Sequence, residues 1–119
     1  MSKHDPVVRL RHMLDHAREA RELARGRSRA DLDSDRLLNL ALVHLLEIVG
    51  EAAAWTPQEV RQQYPGIPWR DVVDLRNRLI HGYDVVNFDI LWQIIQTDLP
   101  ALIAELQRIL EAEPNVTAN

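Results

Sequence analysis

The sequence contains no cysteine. That absence excludes disulfide scaffolding, thiolate nucleophiles, Cys-ligated zinc and iron–sulfur clusters, all of which need the sulfur. Glycine is scarce as well. Its four positions, 26, 50, 66 and 82, lie too far apart for a dinucleotide fingerprint or a Walker loop, so nucleotide binding by those routes is not expected. No run approaches the roughly 20 consecutive apolar residues that cross a bilayer. The N-terminus, Met1 to Asp5, has no apolar signal core behind it and is followed by Arg9 and Arg11. The expected address is cytoplasmic, without a membrane partner.

What is present is the composition of a folded domain. With 119 residues there is room for one core, and 46% hydrophobic against 27% charged residues supplies the aliphatic surface to fill it. One domain is expected over residues 1–112, with a frayed tail from 113 to 119. The net charge of −4 is unevenly spread: residues 1–30 carry a net +4 and residues 31–119 a net −8. The overall balance opposes a general nucleic-acid coat, and DNA is not an expected partner. Thirteen of the fourteen basic residues are arginine, which is suited to bidentate phosphate contacts, although genome base composition produces the same bias.

Apolar residues recur at helical spacing along most of the chain. Val7, Leu10, Met13, Leu14, Ala17 and Ala20 predict an amphipathic helix from Asp5 to about Ala24. Ser34 or Asp33 is placed to cap a second, more apolar helix carrying Leu37, Leu38, Ala41, Leu45, Ile48, Val49 and Ala52. Thr56-Pro57-Gln58-Glu59 has the form of a capping box and predicts a short helix ending before Tyr64-Pro65-Gly66. Pro68 and Trp69 open a further helix through Leu79 and Ile80, with Gly82 as a left-handed terminator. Asn87 or Phe88 begins the last helix, which runs through Leu110 and should kink or restart at Pro100, with Asp98 as the cap of its second half. No strand pattern of useful length appears. The expected fold is an all-α antiparallel bundle of about four to five helices, aliphatic enough to pair as a homodimer.

One segment concentrates polar chemistry. Arg76-Asn77-Arg78-Leu79-Ile80-His81-Gly82-Tyr83 puts guanidinium, amide, imidazole and phenol at a helix end, and in a continuous helix Asn77 and His81 would share a face. An Arg-x4-His spacing alone is weak, since about 0.5 matches per chain arise by chance at this composition. Arg11 and His16 repeat the spacing mid-helix without the asparagine, glycine and tyrosine. On its own, His81 fits better a histidine bonded to the last carbonyls of a helix. Asp31-Leu32-Asp33-Ser34-Asp35 imitates the start of a calcium loop, but Arg36 replaces the required glycine and Leu42 the required glutamate. His12 and His16 lack a third ligand, so no metal site is expected. His44, Glu47 and Glu51 form a polar stripe on the apolar helix.

Taken in order, Ile48-Val49-Gly50-Glu51-Ala52-Ala53, Ile67-Pro68-Trp69, the segment from Arg76 to Tyr83, Ile90-Leu91-Trp92 and Asp98-Leu99-Pro100 resemble the HepT family of small HEPN-domain proteins. The resemblance runs from about Leu37 to Leu110. It implies an all-α HEPN-type bundle, a homodimer, and a ribonuclease toxin whose antitoxin is a minimal nucleotidyltransferase. It also implies AMP transfer to the tyrosine of the motif, here Tyr83. In that reading Arg76 and His81 are catalytic, Asn77 and Glu51 support them, and no cofactor or metal takes part. The substrate would be an RNA such as a tRNA or mRNA. The competing expectation is a non-enzymatic helical dimer that serves a nucleotidyltransferase as partner or substrate-presenting subunit. The acidic balance of residues 31–119 favours it, unless Arg9, Arg11, Arg18, Arg21, Arg25, Arg27 and Arg29 provide a basic approach path.

Overall fold

The structure, a computed structural model, describes residues 5–82 and 85–112. The first helix, α1 (Pro6–Ala24), starts where the sequence predicts. The Asp5 side chain accepts the Val7 N–H at 2.8 Å, and proline fills the first turn, where its missing N–H costs nothing. Leu10, Met13, Leu14, Ala17, Ala20 and Ala24 form its buried face.

The next cap differs from expectation. Asp33 and Ser34 lie inside a one-turn helix, α2 (Asp31–Ser34), and Asp35 caps the long helix α3 (Arg36–Ala54) by accepting the Leu38 N–H at 3.0 Å. Asn39, buried at 3% exposure, donates to the Leu32 carbonyl and accepts from Arg36, which ties α2 to α3. The capping box also fails to form. The Thr56 hydroxyl is buried and donates to the Ala52 carbonyl at the end of α3, leaving α4 (Gln58–Gln63) to start from Pro57 without a side-chain cap.

The helix expected from Pro68 to Ile80 is two short helices, α5 (Trp69–Val73) and α6 (Leu75–Leu79), joined at Asp74 with φ −89° and ψ 8°. The Trp69 indole N–H donates to the carbonyls of Arg61 and Tyr64 and pins the turn before α5. After α6 the chain is extended. Ile80–His81 (β1) pairs antiparallel with Val85–Val86 (β2), in the register Ile80 to Val86 and His81 to Val85. This small pairing adds to the helical fold without a trace in the sequence pattern, because two residues per strand are too few to show a period of two. Gly82 does take the left-handed conformation expected of it, at φ 73°, but in the hairpin and not at a helix end.

Asn87 caps α7 (Phe88–Gln93) by accepting the Ile90 N–H. A π-helical turn, Ile94–Asp98, then connects α7 to α8 (Leu99–Ala112). Pro100 explains the wide turn. It has no N–H to give, and the Leu99 N–H reaches back five residues to Ile94, so the Ile95 carbonyl loses its helical donor. Arg21 from α1 supplies one at 3.1 Å. Asp98 therefore does not cap α8 as expected; its carboxylate turns to Arg78.

The elements share one hydrophobic cluster in which α3 lies between α1 on one side and α5 and α6 on the other, with α8 and the π turn against α1. Among the described residues α3 alone has the length and hydropathy to cross a membrane, and here its apolar face is buried in that cluster. The all-α architecture is as expected, in more and shorter pieces.

Candidate functional site

Helix α6 is anchored by Leu75 and Leu79, four residues apart and both buried, so Arg76, Asn77 and Arg78 project from its remaining surface. Each turns to a different carboxylate. Arg76 Nε lies 3.6 Å from Glu47 Oε2 on α3, a long contact for an arginine that is 61% exposed. The Asn77 amide donates to Asp74 Oδ1 at 2.7 Å. Arg78 donates to Asp98 Oδ2 at 2.9 Å and is the most sequestered of the three.

His81 is exposed on β1, while its neighbour Ile80 is half-buried. Because α6 ends at Leu79, the expected helical pairing of Asn77 with His81 does not exist. The helix stops two residues short of His81, where the backbone turns extended. Arg76 and His81 are both open to solvent, with the buried Leu79 between them in the chain. Tyr83 lies outside the described residues. Glu51 is exposed one turn beyond Glu47 on α3.

Three carboxylates whose pairing with this segment the sequence did not indicate thus organise it: Glu47, Asp74 and Asp98. Asp74 carried a faint signal, being three residues before Asn77. Asp98 carried none, because its partner is twenty residues away in the chain.

The alternatives set aside in the sequence resolve into structural roles. His16 bonds through Nδ1 to the His12 carbonyl, and the two rings meet edge to face at 6.2 Å. In the calcium-like stretch, Asp31 accepts the Ser28 N–H, Asp33 pairs with Arg29, and Asp35 caps α3 and pairs with Arg27. Those carboxylates serve separate donors. Among the described residues no three His, Asp or Glu side chains gather as a metal-ligating group.

The arginines of the first thirty residues are largely engaged too. Arg21 bonds to Ile95, Arg25 to Glu22, Arg27 to Asp35, and Arg29 to both Asp89 and Asp33, whose hydrogen bonds raise its pKa above the ordinary value. Arg9 lies over the Trp55 ring at 5.7 Å. Five of the seven arginines offered as a basic approach path thus have partners within the chain, while Arg11 and Arg18 are exposed on α1.

The chain is 36% identical over 108 residues to a protein of Caldanaerobacter subterraneus subsp. tengcongensis named "Putative RNase", covering 91% of this chain and 96% of that one. A protein of Methanocaldococcus jannaschii whose name also begins "Putative RNase" is 31% identical over 107 residues, covering 90% and 98%. A "Probable ribonuclease HepT" of Thermococcus cleftensis is 33% identical over 79 residues, covering 66% and 72%. No solved structure matches the chain significantly. Residues 13–109, which span every helix except the ends of α1 and α8, match the family described as Ribonuclease HepT-like, and to that family the chain belongs.

Proposed function

We propose that the chain is a metal-independent endoribonuclease toxin of the cytoplasm, acting as a homodimer in which two copies of Arg76 and His81 line one cleft. The observation that supports this most directly is the contrast between the arginines of α6. Arg78 is committed to Asp98 at 2.9 Å, whereas Arg76 is mostly exposed and held only by a 3.6 Å contact with Glu47. A phosphate displaces such a contact readily, since exposed ion pairs are worth about 0–1 kcal/mol.

The chemistry needs two imidazoles. One takes the proton of the ribose 2′-hydroxyl as that oxygen attacks phosphorus; the other gives a proton to the departing 5′-oxygen, leaving a 2′,3′-cyclic phosphate. Imidazole is the side chain suited by its chemistry both to accept and to donate a proton near neutrality. Arg76 holds the charge that builds on the phosphoryl oxygens. Because one chain offers one exposed His81, a two-fold assembly completes the pair. Asn77 supports the site from α6 through Asp74, and Glu51 borders it on α3. A cognate minimal nucleotidyltransferase transfers AMP to Tyr83, and the added anion keeps RNA out of the cleft.

The test is cleavage of a mixed RNA substrate by purified protein. His81→Ala and Arg76→Ala are each expected to lower the rate at least 100-fold, the scale of a lost acid–base group or a lost phosphoryl-charge stabiliser. EDTA should leave the rate unchanged. Undiminished cleavage by both variants overturns the assignment, and inhibition by EDTA overturns its metal independence. Tyr83→Phe should gain no AMP when incubated with the nucleotidyltransferase and ATP; a retained mass increase of one AMP contradicts that part. The alternative, a non-enzymatic partner subunit, is supported by the carboxylates Glu47, Asp74 and Asp98 surrounding the segment. It predicts no cleavage by wild type.

A further inference from the structure

Helix α3 has an outward ridge as well as its buried face. Leu37, Leu40, His44, Glu47 and Glu51 follow one another at alternating steps of three and four, and Trp55 closes the row at the helix end. Such spacing is the seam of a two-helix coiled coil. Leu37 is 81% exposed, Leu40 48% and Trp55 65%, three of the five large exposed hydrophobic side chains among the described residues. The apolar groups sit at the two ends of the row and the polar ones at its middle. Arg76 lies along one flank through Glu47, and Arg9 lies over Trp55 at the end.

We infer that this ridge is a self-docking surface on which α3 of a second copy packs antiparallel, with the two-fold axis passing near residues 45 and 46. Charge chooses the direction. A parallel pair would stack Glu47 on Glu47 and Glu51 on Glu51, like charges in successive layers of a seam. The antiparallel pair places the imidazole of His44 opposite Glu47, lays Leu40 along the aliphatic stem of Glu51, and brings Leu37 of each copy onto Trp55 of the other. An aromatic anchor then closes both ends of the interface, and the polar centre is satisfied across it.

The pairing adds a group to the site. Glu47 is the carboxylate that holds Arg76, so His44 of the second copy acts on Arg76 through Glu47 as a positioning residue. It also brings both Arg76 side chains close to the axis, because Glu47 is within two residues of it. The surface deepens the two-copy site proposed above and rests on that reading only for the role given to His44; the pairing itself is read without any measurement of activity.

The absence of cysteine makes the test direct. Leu40→Cys and Glu51→Cys, carried on chains of different mass, are expressed separately and together and then mildly oxidised. The antiparallel seam predicts a disulfide-linked dimer of unequal chains from the co-expressed pair alone, because residues 40 of the two copies lie about 16 Å apart along the axis at 1.5 Å per residue. Linkage of Leu40→Cys to itself indicates the parallel seam and overturns the direction. No linkage in any arm, or a monomeric wild type by sedimentation at micromolar concentration, overturns the surface. Leu37→Glu should raise the dimer dissociation constant at least 100-fold with helicity unchanged; an unaltered constant counts against it. For His44, His44→Ala should slow RNA cleavage roughly five- to tenfold, the size of one net hydrogen bond, and His44→Gln, which keeps a donor, should restore it. Equal losses in both variants remove the positioning role. If the unequal dimer forms while wild type cleaves no RNA, the pairing stands and the nuclease reading falls.

Discussion

At Gly50 two opposing effects of known size meet. Alanine is the better helix former by about 1 kcal/mol, which would favour substitution in the middle of α3. However, a Cβ there would sit 3.1 Å from the Val72 carbonyl oxygen and 3.8 Å from Leu75 Cβ, so α5 must retreat from α3. Overpacking against backbone costs about 1–3 kcal/mol and should win. Gly50→Ala is expected to lower unfolding free energy by about 1 kcal/mol in urea titrations; a gain in stability would show that α5 yields freely. The same contact sets the position of α6, and with it Arg76. At this scale the sequence pointed to Arg76 and His81 through the glycine and tyrosine that accompany them, and both side chains are exposed. It misjudged how they are held. Helical spacing linked Asn77 to His81, whereas the chain turns extended after Leu79, and Asp98 reaches Arg78 across a distance that no local pattern records.

Among the elements, the π turn is the one whose cause can be isolated. Pro100 leaves the Ile95 carbonyl without its backbone donor, and Arg21 fills the vacancy from another helix. Arg21→Ala should cost about 1–2 kcal/mol, because it strands a half-buried carbonyl. In a Pro100→Ala background the restored N–H can take over, and the cost of Arg21→Ala should shrink to a few tenths. A double-mutant cycle from denaturation midpoints reads the coupling, and additive costs would refute the link. This element also shows where sequence reading reaches its limit. The starts of α1 and α7 were legible because Asp5 and Asn87 cap their own helices. The proline announced a disturbance in the last helix. Its form, a wide turn stabilised by α1, depends on a residue more than seventy positions away. The break at Asp74 is similar, since it lets the end of α5 lie against Gly50, and that is a fact of packing.

The whole molecule constrains how RNA is attracted. Net charge is −4, and most arginines of α1 and the following loop are already bonded to the protein's own carboxylates, a carbonyl or an aromatic face. Long-range attraction of a polyanion is therefore weak. In the proposed dimer, recognition then falls on the few cations of its cleft. If the two Arg76 side chains of a dimer are the only phosphate contacts, the slope of log affinity against log salt for a single strand is about −1.4. Raising NaCl from 50 to 200 mM should then weaken binding of the His81→Ala variant, which the proposed mechanism makes catalytically silent, only about sevenfold by that relation. Recruiting Arg11 and Arg18 from both copies would give six contacts and a loss of roughly 300-fold over the same range. Fluorescence anisotropy with a short labelled RNA separates these outcomes by more than an order of magnitude. The steep slope would move the approach path from the α6 cleft to the exposed side of α1. The shallow one keeps it at Arg76, where specificity must come from the geometry of the cleft and not from charge.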